Sequence, residues 1–201
     1  MQQDDFFTVN GPLKANIEPL KVGSALPELT DYIAEIPASF VASSEFSQLD
    51  QKTDAAQHEL NQHNLKHVAE LIEQQNNKLN LLLNYMIAQQ DEPALRHITK
   101  SFGASQLTYI SRDELQLGQY TRLKLFLDHP PSGVYCYGEV TNIEHQDEGY
   151  LVTLSFVRIL EEHQDLLIKA ALHQQQKTAA STLARQRKKL IRYELFSPTS
   201  T

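Results

Sequence analysis

A few small groups of reactive or charged side chains in the sequence are candidates for a functional site. His63 and His67 stand four apart, with Glu59 and Glu70 on neighbouring turns if the segment is helical. An i, i+4 histidine pair can hold zinc or nickel when a third ligand converges. In a Gln-rich segment the same spacing also describes a solvated helix face. Asp128 beside His129 has the composition of an acid–base pair, but Pro130-Pro131-Ser132-Gly133 follows, so the pair reads as a turn. Cys136, the single cysteine, lies between Tyr135 and Tyr137 with no His base in the pattern. Buried packing is expected of it rather than nucleophilic catalysis. The remaining group is basic: Arg185, Arg187, Lys188, Lys189 and Arg192 within LARQRKKLIR, 183–192. No Gly-rich phosphate loop, nucleophile elbow or paired metal-carboxylate signature occurs, and seven glycines leave little material for one. The chain is expected to be a non-enzyme with no resident metal or cofactor.

Composition narrows the classes further. In 201 residues there are 18 Lys plus Arg against 25 Asp plus Glu, a net charge of −7. Setting aside the five basic groups of 183–192 leaves 13 against 25, so the body stands at −12. That balance argues against a whole-chain nucleic-acid binder. No run of eighteen apolar residues is present, so no membrane insertion is expected. MQQDDFF lacks the basic-then-apolar order of a secretory signal, and one cysteine excludes an internal disulfide or a cysteine zinc cluster. A cytoplasmic setting follows as the expectation. An acidic body with a basic tail suits an interaction segment, although a solvated helix end has the same composition.

Periodicity predicts the strands and helices that carry these groups. Residues 5–49 carry Pro12, Pro19, Pro27 and Pro37 and show no helical period; Phe6, Phe7 and Val9, then Leu13, Ala15 and Ile17, predict two short strands around Asn10-Gly11-Pro12. Residues 51–90 contain no Gly or Pro, which predicts one helix of roughly 60 Å, with Asp50 as its cap and Pro93 beyond its end. Within it Leu65, Val68, Ile72, Gln75, Leu79, Leu82 and Met86 step by three and four, filling heptad a and d positions. Backwards the seam weakens through Asn61 to His58, where a parallel assembly would stack pH-sensitive rings. Gln75 would lower seam stability but help fix register. A second apolar set, Leu71, Leu81, Leu83 and Ile87, lies on other faces, as in a bundle of more than two helices or a helix that also packs on its own domain. From residue 104 the period becomes two: Leu107 and Tyr109, then Leu123, Leu125 and Leu127, then 134–143 and 150–156, separated by turns at 128–133 and 144–149. Residues 160–191 return to helix. The fold class is α+β, with a small antiparallel barrel, a long inserted coiled-coil helix and a C-terminal helix.

This pattern resembles a known family. QLTYIS at 106–111, LQLG at 115–118, LKLFL at 123–127, YGEV at 137–140, YLVTLSF at 150–156 and ILEEHQDLLIKAAL at 159–172 resemble a PilZ domain over about half of the chain. DDFFTVNGPLKANIEPL at 4–20 is similar to that family's first-strand region. The resemblance implies a six-stranded barrel closed by a terminal helix, in an atypical subgroup that oligomerises through an inserted heptad helix. The implied division is 1–49 as first part of the barrel, 50–92 as inserted oligomerisation helix, 93–159 as remaining strands, 160–192 as C-terminal helix with a basic end, and 193–201 as a flexible tail.

The family also implies a ligand, the bacterial messenger cyclic di-GMP, held by Arg-x-x-x-Arg before the first strand and by an Asp/Asn-x-Ser-x-x-Gly turn. Guanidinium forks suit phosphates and guanine edges. Here MQQDDFFTV has no Arg or Lys and carries Asp4 and Asp5, while Ser101, Gly103 and Gln106 occupy the key positions of the second motif. Arg96 and Lys100 have the arginine-motif spacing but lie elsewhere, so Arg96, Lys100, Ser101 and Ser105 are the candidate ligand-binding residues. Two lost charge-assisted contacts at about 1.5–3 kcal/mol each would weaken binding roughly 10²–10⁴-fold. The expectation is therefore a signalling adaptor of cyclic di-GMP-related regulation that works through unidentified protein partners and homo-oligomerises through 50–92. The alternative is a true cyclic di-GMP receptor using substitute basic residues, the 183–192 strip among them. That strip could otherwise dock a protein or touch anionic lipid; with only Tyr193 and Phe196 near it, RNA is not expected.

Overall fold

A computed structural model describes residues 8–49 and 65–196, with side-chain surroundings up to residue 180. Seven strands form the sheet: β1 Thr8–Asn10, β2 Lys14–Pro19, β3 Arg96–Gly103, β4 Gln106–Ser111, β5 Tyr120–Asp128, β6 Pro131–Gln146 and β7 Gly149–Arg158. Their order is β1-β3-β2-β5-β6-β7-β4, and a β3–β4 pairing closes six of them into a barrel. β1 and β2 are one strand broken at Gly11-Pro12; both pair antiparallel with β3, through Val9 opposite Phe102 and Ala15 opposite His97.

The period-two residues fill the barrel. Ala15, Leu107, Leu123, Leu125, Val134, Cys136, Val152 and Leu154 have no exposed surface, and Leu166, Leu167 and Ala171 of helix α4 (Glu161–Phe196) pack against them. The outward residues of β5 and β6 are covered as well. Tyr32 of α1 (Leu29–Glu35), Phe40 of α2 (38–49), and Leu83 and Ile87 of α3 (Lys66–Ala88) form a second core with Phe126, Tyr135 and Tyr137. Phe40 lies directly on Gly133, where any Cβ would overlap its ring. Tyr32 donates to the Tyr135 carbonyl at 2.8 Å, and Glu35 accepts hydrogen bonds from Tyr135 and Tyr137 at 2.8 and 2.5 Å. These bonds pin α1 to β6.

Three local features depart from the sequence expectations. Residues 29–49, read as lacking a helical period, form α1 and α2. The buried face of α2 is Ser39, Phe40, Ser43, Ser44 and Ser47. Serines bring the helix close to the barrel, with Gly133 N–H donating to Ser43 Oγ at 3.1 Å, yet they carry no hydrophobic period. β3 begins at 96, eight residues before the expected change of period, because a bulge between Thr99 and Ser101 interrupts its alternation. Helix α4 continues to Phe196, past the expected 192. Of the expected helix 51–90, α3 covers 66–88; Asp50, His58, Glu59, Asn61 and His63 lie outside the described residues.

Candidate oligomerisation face

Helix α3 carries two apolar stripes with different fates. At 3.6 residues per turn, Ala69, Ile72, Asn76, Asn80, Leu83 and Ile87 cluster on one side, and Val68, Leu71, Gln75, Leu79, Leu82 and Met86 cluster roughly 100° away. The first side is turned inward: Leu83 and Ile87 are 3% and 4% exposed in the second core. The second faces solvent, with Leu79 49% and Leu82 62% exposed, and Leu65, Val68, Leu71, Tyr85 and Met86 also exposed. Gln75 is exposed on the same side, and Ile72, half-buried, lies between the two. Val68, Gln75, Leu79, Leu82 and Met86 of the heptad series thus lie on a different surface of the helix from the packing face, with Ile72 at the border. The second apolar set of the sequence divides: Leu83 and Ile87 are buried, whereas Leu71 and Leu81 are exposed.

What holds this face in place is the exit of α3. Asn16, buried on β2, accepts from the Glu92 N–H at 2.8 Å and donates to Asp91 Oδ1 and the Glu92 carbonyl, both at 3.0 Å. The Asp91 carboxylate lies 2.7 Å from Arg96 Nη2 and 3.3 Å from Lys14 Nζ, and Glu92 Oε1 lies 2.5 Å from Lys124 Nζ. Burial opposes ionisation of Asp91, but the bonds from Arg96, Asn16 and Lys14 outweigh it and hold the carboxyl below its ordinary range. Lys124 does the same for Glu92. Next to these pairs Arg122 is matched with Glu18. A cleft of about 410 Å³ separates this wall from the end of α1, lined by Glu35, Ile36, Gln90, Arg122, Lys124 and Tyr135.

The other sequence candidates are spread out. Arg96, at the start of β3, is half committed to Asp91 through both Nη2 and Nε. Lys100 is exposed further along the same strand. The Ser101 hydroxyl shares a hydrogen bond with Thr108 at 2.8 Å, and Ser105 lies in the β3–β4 turn, where its carbonyl accepts from Phe156 N–H. Asp4 and Asp5 lie outside the described residues. Arg185, Arg187, Lys188, Lys189 and Arg192 fall on the distal part of α4, with side chains beyond those described. His67 Nδ1 lies 3.5 Å from Glu70 on the solvent side of α3. Cys136 is wholly buried, and burial pushes its thiol up, away from reactivity. Sequence reasoning missed the Lys14, Arg122 and Lys124 wall; the alternation of Arg122 and Lys124 with the inward leucines of β5 was its one available signal. Among the described residues, no helix is long and apolar enough to cross a membrane.

No family model and no curated protein matches the sequence. Solved structures do match. A pathogenic protein from Xanthomonas campestris, described as a tetrameric PilZ domain self-assembled via an unusual helical bundle, superposes with a TM-score of 0.54 at 14% identity, covering 88% of this chain and 92% of that one. The Bacillus subtilis inhibitor of motility MotI/DgrA superposes with a TM-score of 0.47 at 12% identity, covering 88% of this chain and 53% of that one. This chain therefore spans about half the length of the Bacillus protein. The closed six-stranded antiparallel barrel with its helices is a PilZ-like α+β fold.

Proposed function

We propose that this PilZ-like chain is a non-enzymatic adaptor of bacterial cyclic di-GMP-related regulation, assembled through α3 and acting in the cytoplasm by binding other proteins. The observation that carries the reading is the exposed seam of α3. Leu79, Leu82 and Met86 stand in solvent while Leu83 and Ile87 on the same helix are already packed, so the folding of one copy leaves a continuous apolar stripe uncovered. A second copy of this chain is the occupant it fits, because three- and four-residue steps are those of a self-pairing heptad face. A helical bundle assembles the Xanthomonas structure of similar fold, which supports the same arrangement here. Multiplying the barrels on one bundle raises the avidity of weak partner contacts through effective concentration. The basic end of α4 is then a partner-docking strip.

Nucleotide binding at the family's usual site is weak or absent in this reading. The arginine-motif region has no basic residue, and Arg96, the nearest substitute by spacing, already meets Asp91. Calorimetric titration with cyclic di-GMP, with light scattering on the same sample, tests the proposal. An assembly larger than one chain with no heat of micromolar binding supports it. Micromolar or tighter binding overturns the adaptor reading in favour of a receptor using substitute basic residues.

A further inference from the structure

The β5–β6 turn and α4 meet through two histidines that the adaptor reading does not use. The His129 and His173 ring centroids are 4.8 Å apart, with the ring planes inclined at 44°. They border a small cavity of about 60 Å³ whose polar lining also includes Asp128, Gln174 and Lys177. That space suits one or two water-sized ligands. Two imidazoles coordinating one metal at about 2.1 Å hold their centroids roughly 4.6–5.3 Å apart at angles between about 90° and 110°. The observed spacing falls in that interval.

We propose that His129 and His173 form a two-histidine site for a borderline divalent metal ion such as zinc. Imidazole nitrogen suits such metals, and both rings are exposed, so the ion can enter from solvent. Among the described residues no group of three or more His, Cys, Asp or Glu side chains converges on an ion site, so water completes the coordination sphere. The Asp128 carboxylate favours a cation in the cavity and the Lys177 ammonium opposes it, which leaves the imidazoles to supply the binding. The bound ion would cross-link the β5–β6 turn to the fourth turn of α4, fixing the direction in which the basic end of that helix leaves the barrel. The site stands independently of the adaptor reading.

The test is zinc titration by calorimetry at pH 7.5 in a His63→Ala/His67→Ala background, which removes the other histidine pair. One zinc per chain is expected, with a rise in melting temperature. His129→Gln and His173→Gln should each weaken binding at least tenfold and abolish the rise relative to that variant's own metal-free melting temperature. Absence of zinc binding, or binding unchanged in both glutamine variants, would overturn the site.

Discussion

Asp91 reaches Arg96 at 2.7 Å across the junction between α3 and β3, and this contact sets where the exposed face of α3 stands relative to the barrel. The carboxylate is largely buried, while Arg96 and Lys14 keep about half and a third of their side-chain surface in solvent. Its contribution is therefore larger than that of an open surface pair and smaller than that of a buried one.

Asp91→Asn should destabilise the fold by about 1–2 kcal/mol, roughly 2–8 °C in melting temperature for a chain of this size. The lowered carboxyl range gives the pH sign. A carboxylate depressed in the folded state contributes stability above its ordinary range, and that contribution is lost as pH falls through its folded value. Thermal melts between pH 7 and pH 3 check this: the acid-side loss should be shallower in the Asn variant.

Neighbouring leucines should separate folding from assembly. Leu83 is buried and Leu82 is 62% exposed. Leu83→Ala removes core contacts and should cost about 2–4 kcal/mol of fold stability. Leu82→Ala should leave the unfolding midpoint of the dissociated chain within about 0.5 kcal/mol while weakening self-association. Denaturant titration at low protein concentration and sedimentation at high concentration read the two effects apart.

Acid should weaken the fold through two histidines in a different pH window. His163 is 1% exposed, with Nδ1 3.3 Å from the Tyr135 carbonyl. Burial lowers its pKa against the opposing pull of that carbonyl and of Glu162; burial also lowers the pKa of His97, whose ring lies edge-on to Tyr109. The unfolded chain then binds more protons just below the ordinary histidine value, so stability falls as pH drops from about 6.5 toward the lower folded values. Urea midpoints at pH 7.5, 6.5 and 5.5 should decline, and His163→Gln should flatten that slope whatever its own midpoint.

The barrel was legible in the sequence because a half-buried strand leaves an alternating record, plain in Leu123, Leu125 and Leu127. The helix of α3 was legible for the same reason at a period of three and four. The hidden parts lacked such a record. α2 buries serines, α1 is seven residues long between Pro27 and Pro37, and the bulge in β3 moves its basic residues out of step. The clamp at Asp91 and Glu92 was invisible because its partners, Lys14, Arg96 and Lys124, come from three separate strands, and only closure of the barrel brings them together. Asp91 and Glu92 themselves looked like the polar end of a helix.

Self-association through the exposed face of α3 stands or falls on substitution of Leu79 and Leu82 by Asp. Both side chains are exposed in the single chain, so charge there should leave the barrel's circular dichroism intact, with melting lowered only by the loss of association. Light scattering is predicted to give a multiple of 22.9 kDa for the native protein and the mass of one chain for the double variant. A native mass of one chain, or a variant that keeps the native multiple, would rule out self-association through α3.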